Sequence, residues 1–161
     1  MKFEKRLEKA IERGMRRGNA KVHEAEVQAL SETELKRLHS GFRLQLSEHI
    51  ENCVKCLPNH FPGFQLESVF GERGWGAACS RDDVGPARSG KRTNYYSRLE
   101  ATVRPFSSLC VLELSAKGTI RDKEIFNRTH FEKLAEADLD NFKELIDLWV
   151  LEYVELYAVD R

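Results

Sequence analysis

The sequence lacks most of the features that mark a specialised class of protein. It has no apolar run near the ~20 residues needed to cross a bilayer, and its charged N-terminus has no apolar stretch typical of a signal peptide. Its 26 basic and 26 acidic residues cancel, which excludes a chain-wide attraction to nucleic acid or anionic membranes. Internal repeats and low-complexity tracts are also missing. These absences favour a cytoplasmic protein.

Cysteine is scarce, with four residues in the chain. In a reducing compartment such cysteines are expected to be free thiols or metal ligands rather than disulfides. What the chain does have is 41% hydrophobic and 32% charged residues over 161 positions, a balance typical of one packed domain. We therefore expect a single domain over residues 1–161, with residues 1–30 a helical extension that is either mobile or packed against a partner.

Charge is unevenly distributed along the chain. Residues 1–21 carry eight basic and three acidic side chains, a net charge of +5, whereas residues 132–161 carry three basic and nine acidic side chains, a net charge of −6. Opposite charges at the two ends predict an attraction between them, within one chain or between subunits.

The first thirty residues read as helix. Apolar residues recur at spacings of three and four over residues 3–15, until Gly18 and Asn19 offer a helix stop. A second helical stretch over residues 20–30 either continues the first helix or hinges at Gly18.

A long amphipathic helix is predicted to follow. Ser31 and Glu34 have the spacing of a capping box, in which each side chain satisfies the other residue's backbone amide. The apolar stripe that follows includes Leu46 and Ile50 and continues until Pro58, which is expected to end the helix.

The middle of the chain changes to the twofold alternation of strands. Alternating stretches are predicted at residues 64–70, 75–80, 95–104 and 109–116, with one more strand within residues 119–128. Short turns between them favour antiparallel pairing. A polar segment at residues 81–94 is read as a loop.

A final helix is predicted after Asp138, a good N-cap residue, with apolar side chains on more than one face. The complete pattern indicates an α+β fold with N-terminal helices, one of them long and amphipathic. An antiparallel sheet of about four to five strands and a C-terminal helix packed on the sheet follow. The broad apolar surface of this last helix predicts an interaction surface or homodimer contact on three aromatic residues: Trp149, Tyr153 and Tyr157.

Residues 85–93 read GPARSGKRT and resemble a phosphate-binding P-loop. Gly85, Gly90 and Lys91 match that motif, but Arg92 stands where a hydroxyl should bind magnesium. A strand rather than a helix is predicted to follow, so the segment is interpreted as a connection between strands. Contact with an anionic ligand or nucleic acid through the basic stretch 81–98 remains a hypothesis, carried by Arg88, Lys91, Arg92, Tyr95, Tyr96 and Arg98.

A second candidate site is the segment HIENCVKCLPNH, whose thiols and imidazoles form a familiar zinc-binding set. Its four candidate ligands are His49, Cys53, Cys56 and His60. On an unbroken helix the first and last of them would lie about 16 Å apart, too far to share one ion. The competing interpretation is that Cys53 is part of the apolar stripe. No cofactor is therefore expected, with zinc as the alternative.

Two functional hypotheses follow from these patterns. The first is a non-enzymatic protein-interaction or regulatory module, because the last helix is widely apolar and no catalytic constellation accompanies it. The alternative is a ligand-binding domain or small enzyme with a pocket between sheet and helices, lined by Trp75, Tyr95 or Tyr96. A histidine–carboxylate pair between His130 and Glu124 or Glu132 would be its acid–base candidate.

Overall fold

The computed structural model describes residues 2–27, 31–86 and 92–159, without the side chains of residues 22–27, 85–86 and 92–93. Two compact units make up the chain, Met1–Arg37 and Leu38–Arg161. The boundary between these units falls inside a helix. Among the described residues, no helix is long and apolar enough to span a membrane.

The α+β architecture is confirmed. Four helices and five strands follow one another in the described chain: α1 (Lys2–Val27), α2 (Glu32–Val54), α3 (Leu57–His60), β1 (Gln65–Val69), β2 (Trp75–Pro86), β3 (Arg92–Val103), β4 (Val111–Ile120), β5 (Lys123–Lys133) and α4 (Leu139–Val159). The strands form one antiparallel sheet in the order β1-β2-β3-β4-β5. Each strand therefore pairs with its neighbours in sequence.

The first helix is longer than its sequence indicates. The expected stop at Gly18 and Asn19 is not observed, because α1 continues through both residues to Val27. A glycine in a helix interior costs about 1 kcal/mol relative to alanine, which weakens a helix without ending it. The large apolar side chains of α1 are exposed, among them Phe3 at 73% and Met15 at 65%.

Helix α2 begins as predicted and ends earlier than predicted. The Glu34 amide donates to Ser31 Oγ over 3.2 Å, which is half of the expected capping box. The helix ends at Val54, and Pro58 lies within the first two positions of α3, where its missing amide hydrogen is tolerated. This break turns the chain by the time it reaches His60.

Helix α4 starts at the predicted cap. Asp138 Oδ1 accepts from the amides of Asp140 and Asn141 at 3.1 and 3.4 Å, which satisfies two of the free donors of the first turn. Behind this cap, Phe142, Ile146 and Tyr153 are almost fully buried.

One hydrophobic core joins α2, α4 and a single face of the sheet within the unit Leu38–Arg161. The predicted alternation in β3 is confirmed on its buried side, where Ser97, Leu99, Ala101 and Val103 have at most 3% exposure. Strand β2 is longer than predicted because residues 81–86, read as a loop, pair with β3. The opposite sheet face carries charged side chains such as Arg98, Glu100 and Glu113, together with the exposed Phe131.

Candidate functional site

A groove of about 630 Å³ lies between the end of α2, the short α3 and the middle of α4. Its size is within the ~300–1,000 Å³ typical of ligand sites. The walls are mostly apolar, with a few polar groups: Cys53, Cys56, Leu57, His60, Phe61, Asp147, Val150, Leu151 and Val154. The residues from α4 include positions 147, 151 and 154, the spacing of one helix face.

Three metal-binding side chains meet at one end of the groove. His49 and Cys53 are one turn apart on α2, and Asp147 reaches them from α4. The Asp147 carboxylate lies 2.8 Å from His49 Nε2 and 3.2 Å from Cys53 Sγ, and the sulfur lies 3.7 Å from the same nitrogen. Their ligand atoms are all within 4.8 Å of one another, so the three could bind one ion.

The thiol of this cluster is held in its protonated form. Burial, followed by the hydrogen bond to Asp147 and its negative charge, raises the pKa of Cys53 to about 12. The thiol accordingly donates to the carboxylate. A nucleophilic role for Cys53 is disfavoured, because the reactive form of cysteine is the thiolate.

The predicted zinc set is divided by the structure. His49 and Cys53 are brought together, while Cys56 and His60 line the groove outside the three-residue cluster. The third member of the cluster is Asp147, which sequence reasoning missed because it lies 94 positions after Cys53. Its spacing from Leu151 and Val154 on one helix face is the only signal that could have pointed to it.

Four of the predicted anion-binding residues belong to β3, and the other two precede it in the sequence. Arg88 and Lys91 lie outside the described residues, and so does the side chain of Arg92. Tyr95 is half-buried, and Tyr96 is exposed on the open sheet face beside Arg98.

Arg98 is already paired with acidic groups. Its guanidinium lies 3.2 Å from Glu67 and 3.5 Å from Glu100. Lys117, which lines the same pocket of about 220 Å³, lies 3.9 Å from Glu124. These ion pairs offset the positive charges of Arg98 and Lys117, which reduces the attraction of the pocket for an anion.

The P-loop resemblance is resolved by strand pairing. Gly85 and Pro86 are the last residues of β2 and pair with Thr93 and Arg92 at the start of β3. The segment therefore connects two antiparallel strands, whereas a P-loop enters a helix whose amides face the phosphate. Among the described residues, the helix on which that type of phosphate binding depends does not follow the segment, because β3 begins at Arg92.

The predicted aromatic interaction surface is mostly interior. Tyr153 and Tyr157 have 0% and 4% exposure, and Trp149 is half-buried. The exposed apolar residues of α4 are instead aliphatic, with Leu148 at 53% and Leu151 at 63%. An apolar contact surface on α4 would therefore centre on leucine side chains.

The three aromatic residues expected to line a ligand pocket between sheet and helices do not line the groove described above. None of Trp75, Tyr95 and Tyr96 lines the 630 Å³ groove, which lies between helices. The Trp75 ring instead carries the guanidinium of Arg43 at 4.2 Å from its centroid, a cation–π contact.

His130 is paired with Glu132 at 2.7 Å, as one of the acid–base alternatives anticipates. The carboxylate also accepts from the amide of Asp138 and the side-chain amide of Asn141, both at 2.9 Å. These three contacts to the Glu132 carboxylate hold the end of β5 against the start of α4. The His130–Glu132 pair is therefore interpreted as structural rather than catalytic.

Comparisons with protein-family models, with curated proteins and with solved structures gave no match. The functional proposal therefore rests on the groove and on the exposed helix faces.

Proposed function

We propose that the chain is a non-enzymatic protein-interaction module whose groove binds a basic amphipathic helix, and that the helix α1 of a second copy is such an occupant. The observation that carries the proposal is the groove itself, an open apolar depression between two helices with acidic side chains around it. Grooves of this kind bind the apolar face of a helix through side chains spaced by three and four residues.

The groove supplies apolar contacts on both sides. Leu57 and Phe61 are buried at its base, while Leu151 is 63% exposed at its edge. An exposed leucine next to an apolar depression can be covered by a partner with a gain in free energy.

The surroundings of the groove are acidic. Helix α4 has five acidic residues and one lysine, and Glu144, Asp147 and Glu155 are exposed on it. This excess of negative charge favours a basic partner and disfavours an acidic one.

Helix α1 has the complementary chemistry. Its exposed apolar residues repeat every four positions: Phe3, Leu7, Ile11 and Met15. The remaining surface is basic, since residues 1–21 have a net charge of +5. Two α1 helices would repel one another, so the acidic groove of another copy is the better partner.

The expected affinity is modest. Burying three aliphatic side chains contributes about 5–9 kcal/mol at ~1.5–3 kcal/mol each. Association costs about 4–15 kcal/mol in lost freedom. The most favourable balance of these two terms, about −5 kcal/mol, corresponds to a dissociation constant of roughly 0.2 mM. Salt weakens the association further because the charges are exposed.

Sedimentation of the full chain at about 10 µM to 1 mM tests the proposal in this affinity range. The wild type is expected to associate, and Leu7→Asp in α1 or Leu151→Asp in the groove is expected to remain monomeric. Phe70→Asp is the matched control, because Phe70 is 78% exposed and does not line the groove.

Mixing the two variants distinguishes the proposed contact from others. Leu7→Asp retains an intact groove and Leu151→Asp retains an intact α1, so their mixture should form heterodimers that neither variant forms alone. If pairing were between two α1 helices, Leu151→Asp alone would associate normally and adding Leu7→Asp would give no heterodimer. That result, or a monomeric wild type at every concentration, would contradict the proposal.

A further inference from the structure

The cluster at the polar end of the groove has the composition of a metal site. His49 and Cys53 stand at i and i+4 on one helix face, a spacing that lets two side chains bind the same ion. Asp147 adds a carboxylate from α4. The set of sulfur, nitrogen and oxygen ligands is one that zinc accepts.

The distances fit a tetrahedral ion after a small adjustment. Bonds of about 2.0–2.3 Å place the ligand atoms of tetrahedral zinc about 3.3–3.8 Å apart. The sulfur–imidazole distance is already 3.7 Å and the sulfur–carboxylate distance is 3.2 Å. The 2.8 Å contact between His49 and Asp147 would need to widen by about half an ångström, and the 3.2 Å sulfur–carboxylate distance by about 0.3 Å.

We propose that His49, Cys53 and Asp147 bind a zinc ion that links α2 to α4, with its fourth coordination position open to the groove. Cys53 binds as the thiolate, because the incoming ion displaces the thiol proton to solvent. Cys53 and Asp147 line the groove, so that position is accessible to water or to a donor group of a bound molecule. Three protein ligands with the fourth position left to water or a bound molecule is an arrangement that zinc adopts in proteins.

This inference does not rest on helix binding in the groove. The cluster is formed within the unit Leu38–Arg161, and its ligands are not contributed by another copy. Leu7→Asp, whose substitution lies in α1 and outside that unit, is therefore expected to bind metal like the wild type while losing self-association, so that either proposal can fail alone.

Anaerobic titration of the reduced, metal-free full chain with Co²⁺ tests the site. Bound cobalt is expected to give a thiolate-to-cobalt charge-transfer band in the near ultraviolet. It should also give visible absorption bands with the high intensity of tetrahedral Co²⁺. All of these bands should disappear when zinc displaces the cobalt. Cys53→Ser should remove the thiolate band, and Asp147→Asn should weaken binding by more than the ~10- to 100-fold typical of a lost outer-shell partner. Far-ultraviolet circular dichroism verifies that both variants are folded.

Two cysteine variants serve as controls. Cys56 lines the groove outside the cluster, and Cys110 does not line the groove, so Cys56→Ser and Cys110→Ser should bind cobalt like the wild type. Loss of the band in Cys56→Ser would overturn the assignment in favour of the cysteine pair predicted from sequence. Absence of a band in the wild type, or unchanged affinity in Asp147→Asn, would also overturn it.

Discussion

The buried hydroxyl of Tyr153 is expected to stabilise the contact between α4 and the sheet. Tyr153 has 0% exposure, and its hydroxyl donates to the backbone carbonyl of Thr119 over 2.8 Å. Burial raises the pKa of Tyr153, so the hydroxyl stays neutral and keeps its proton. Thr119 follows the register shift between β4 and β5, where the regular ladder of backbone hydrogen bonds is interrupted. The tyrosine hydroxyl supplies a hydrogen bond to the Thr119 carbonyl at this irregular position.

Substitution Tyr153→Phe removes the donor and keeps the ring. The Thr119 carbonyl then lacks this buried partner, a loss that costs about 1–3 kcal/mol. For a chain of this length each kcal/mol lowers Tm by about 2–4 °C. Urea unfolding followed by circular dichroism should show a lower midpoint with an unchanged slope, because the surface exposed on unfolding is the same.

The matched control is Tyr96→Phe, since Tyr96 is 39% exposed on the open sheet face. It should change the free energy of unfolding by less than about 0.5 kcal/mol. Equal stability of Tyr153→Phe and the wild type would refute the reasoning, because it would show that the buried carbonyl is satisfied without the tyrosine.

Two further predictions concern packing and pH. An alanine Cβ at Gly76 would lie less than 3.0 Å from the Ala101 carbonyl, so Gly76→Ala should lower the free energy of unfolding by about 3 kcal/mol or more. The control is Gly41→Ala, because Gly41 faces open space in α2. This control should raise the free energy of unfolding by up to about 1 kcal/mol. Burial alone would raise the pKa of Glu132, but hydrogen bonds from His130 and from two amide groups near the start of α4 outweigh it and lower that pKa. This stabilisation is present above the unfolded pKa of about 4.5 and is lost as pH falls through the folded pKa, so Glu132→Gln should flatten the acid dependence of stability.

Parallel melts of the wild type and Glu132→Gln between about pH 7 and pH 3 check the last prediction. Curves that stay parallel across the acid range would contradict it. For the glycines, a Gly76→Ala protein as stable as the wild type would show that β2 and β3 can separate locally without cost.

Local signals in the sequence predicted the parts of the fold that depend on neighbouring residues. The caps at Ser31 and Asp138 were found because a cap needs only a side chain and the amides that follow it. The alternation of β3 was found because one of its faces is buried.

The errors arose where distant contacts decide the structure. Residues Arg81 to Asp83 read as a loop because they are charged, yet they form part of β2 through pairing with β3. The end of α2 at Val54 was missed because Pro58 is a strong local signal, although proline is well tolerated in the first turn of the next helix.

The candidate site was predicted in part for the same reason. His49 and Cys53 are one turn apart, so their spacing reveals a shared helix face. Asp147 joins them only through the packing of α4 against α2, which no local pattern specifies.

The short length of β1 leaves residues 81–86 of β2 without a strand partner on the β1 side among the described residues. β1 pairs with residues 76–80 of β2, while β2 continues to Pro86 with β3 on its other side. Backbone donors and acceptors along an open edge can recruit the edge of another sheet. Here that stretch carries Arg81, Asp82 and Asp83, and charged side chains on a strand edge oppose the pairing of a second strand there. The charged residues whose sequence is typical of a loop therefore oppose edge-to-edge aggregation at this edge of β2.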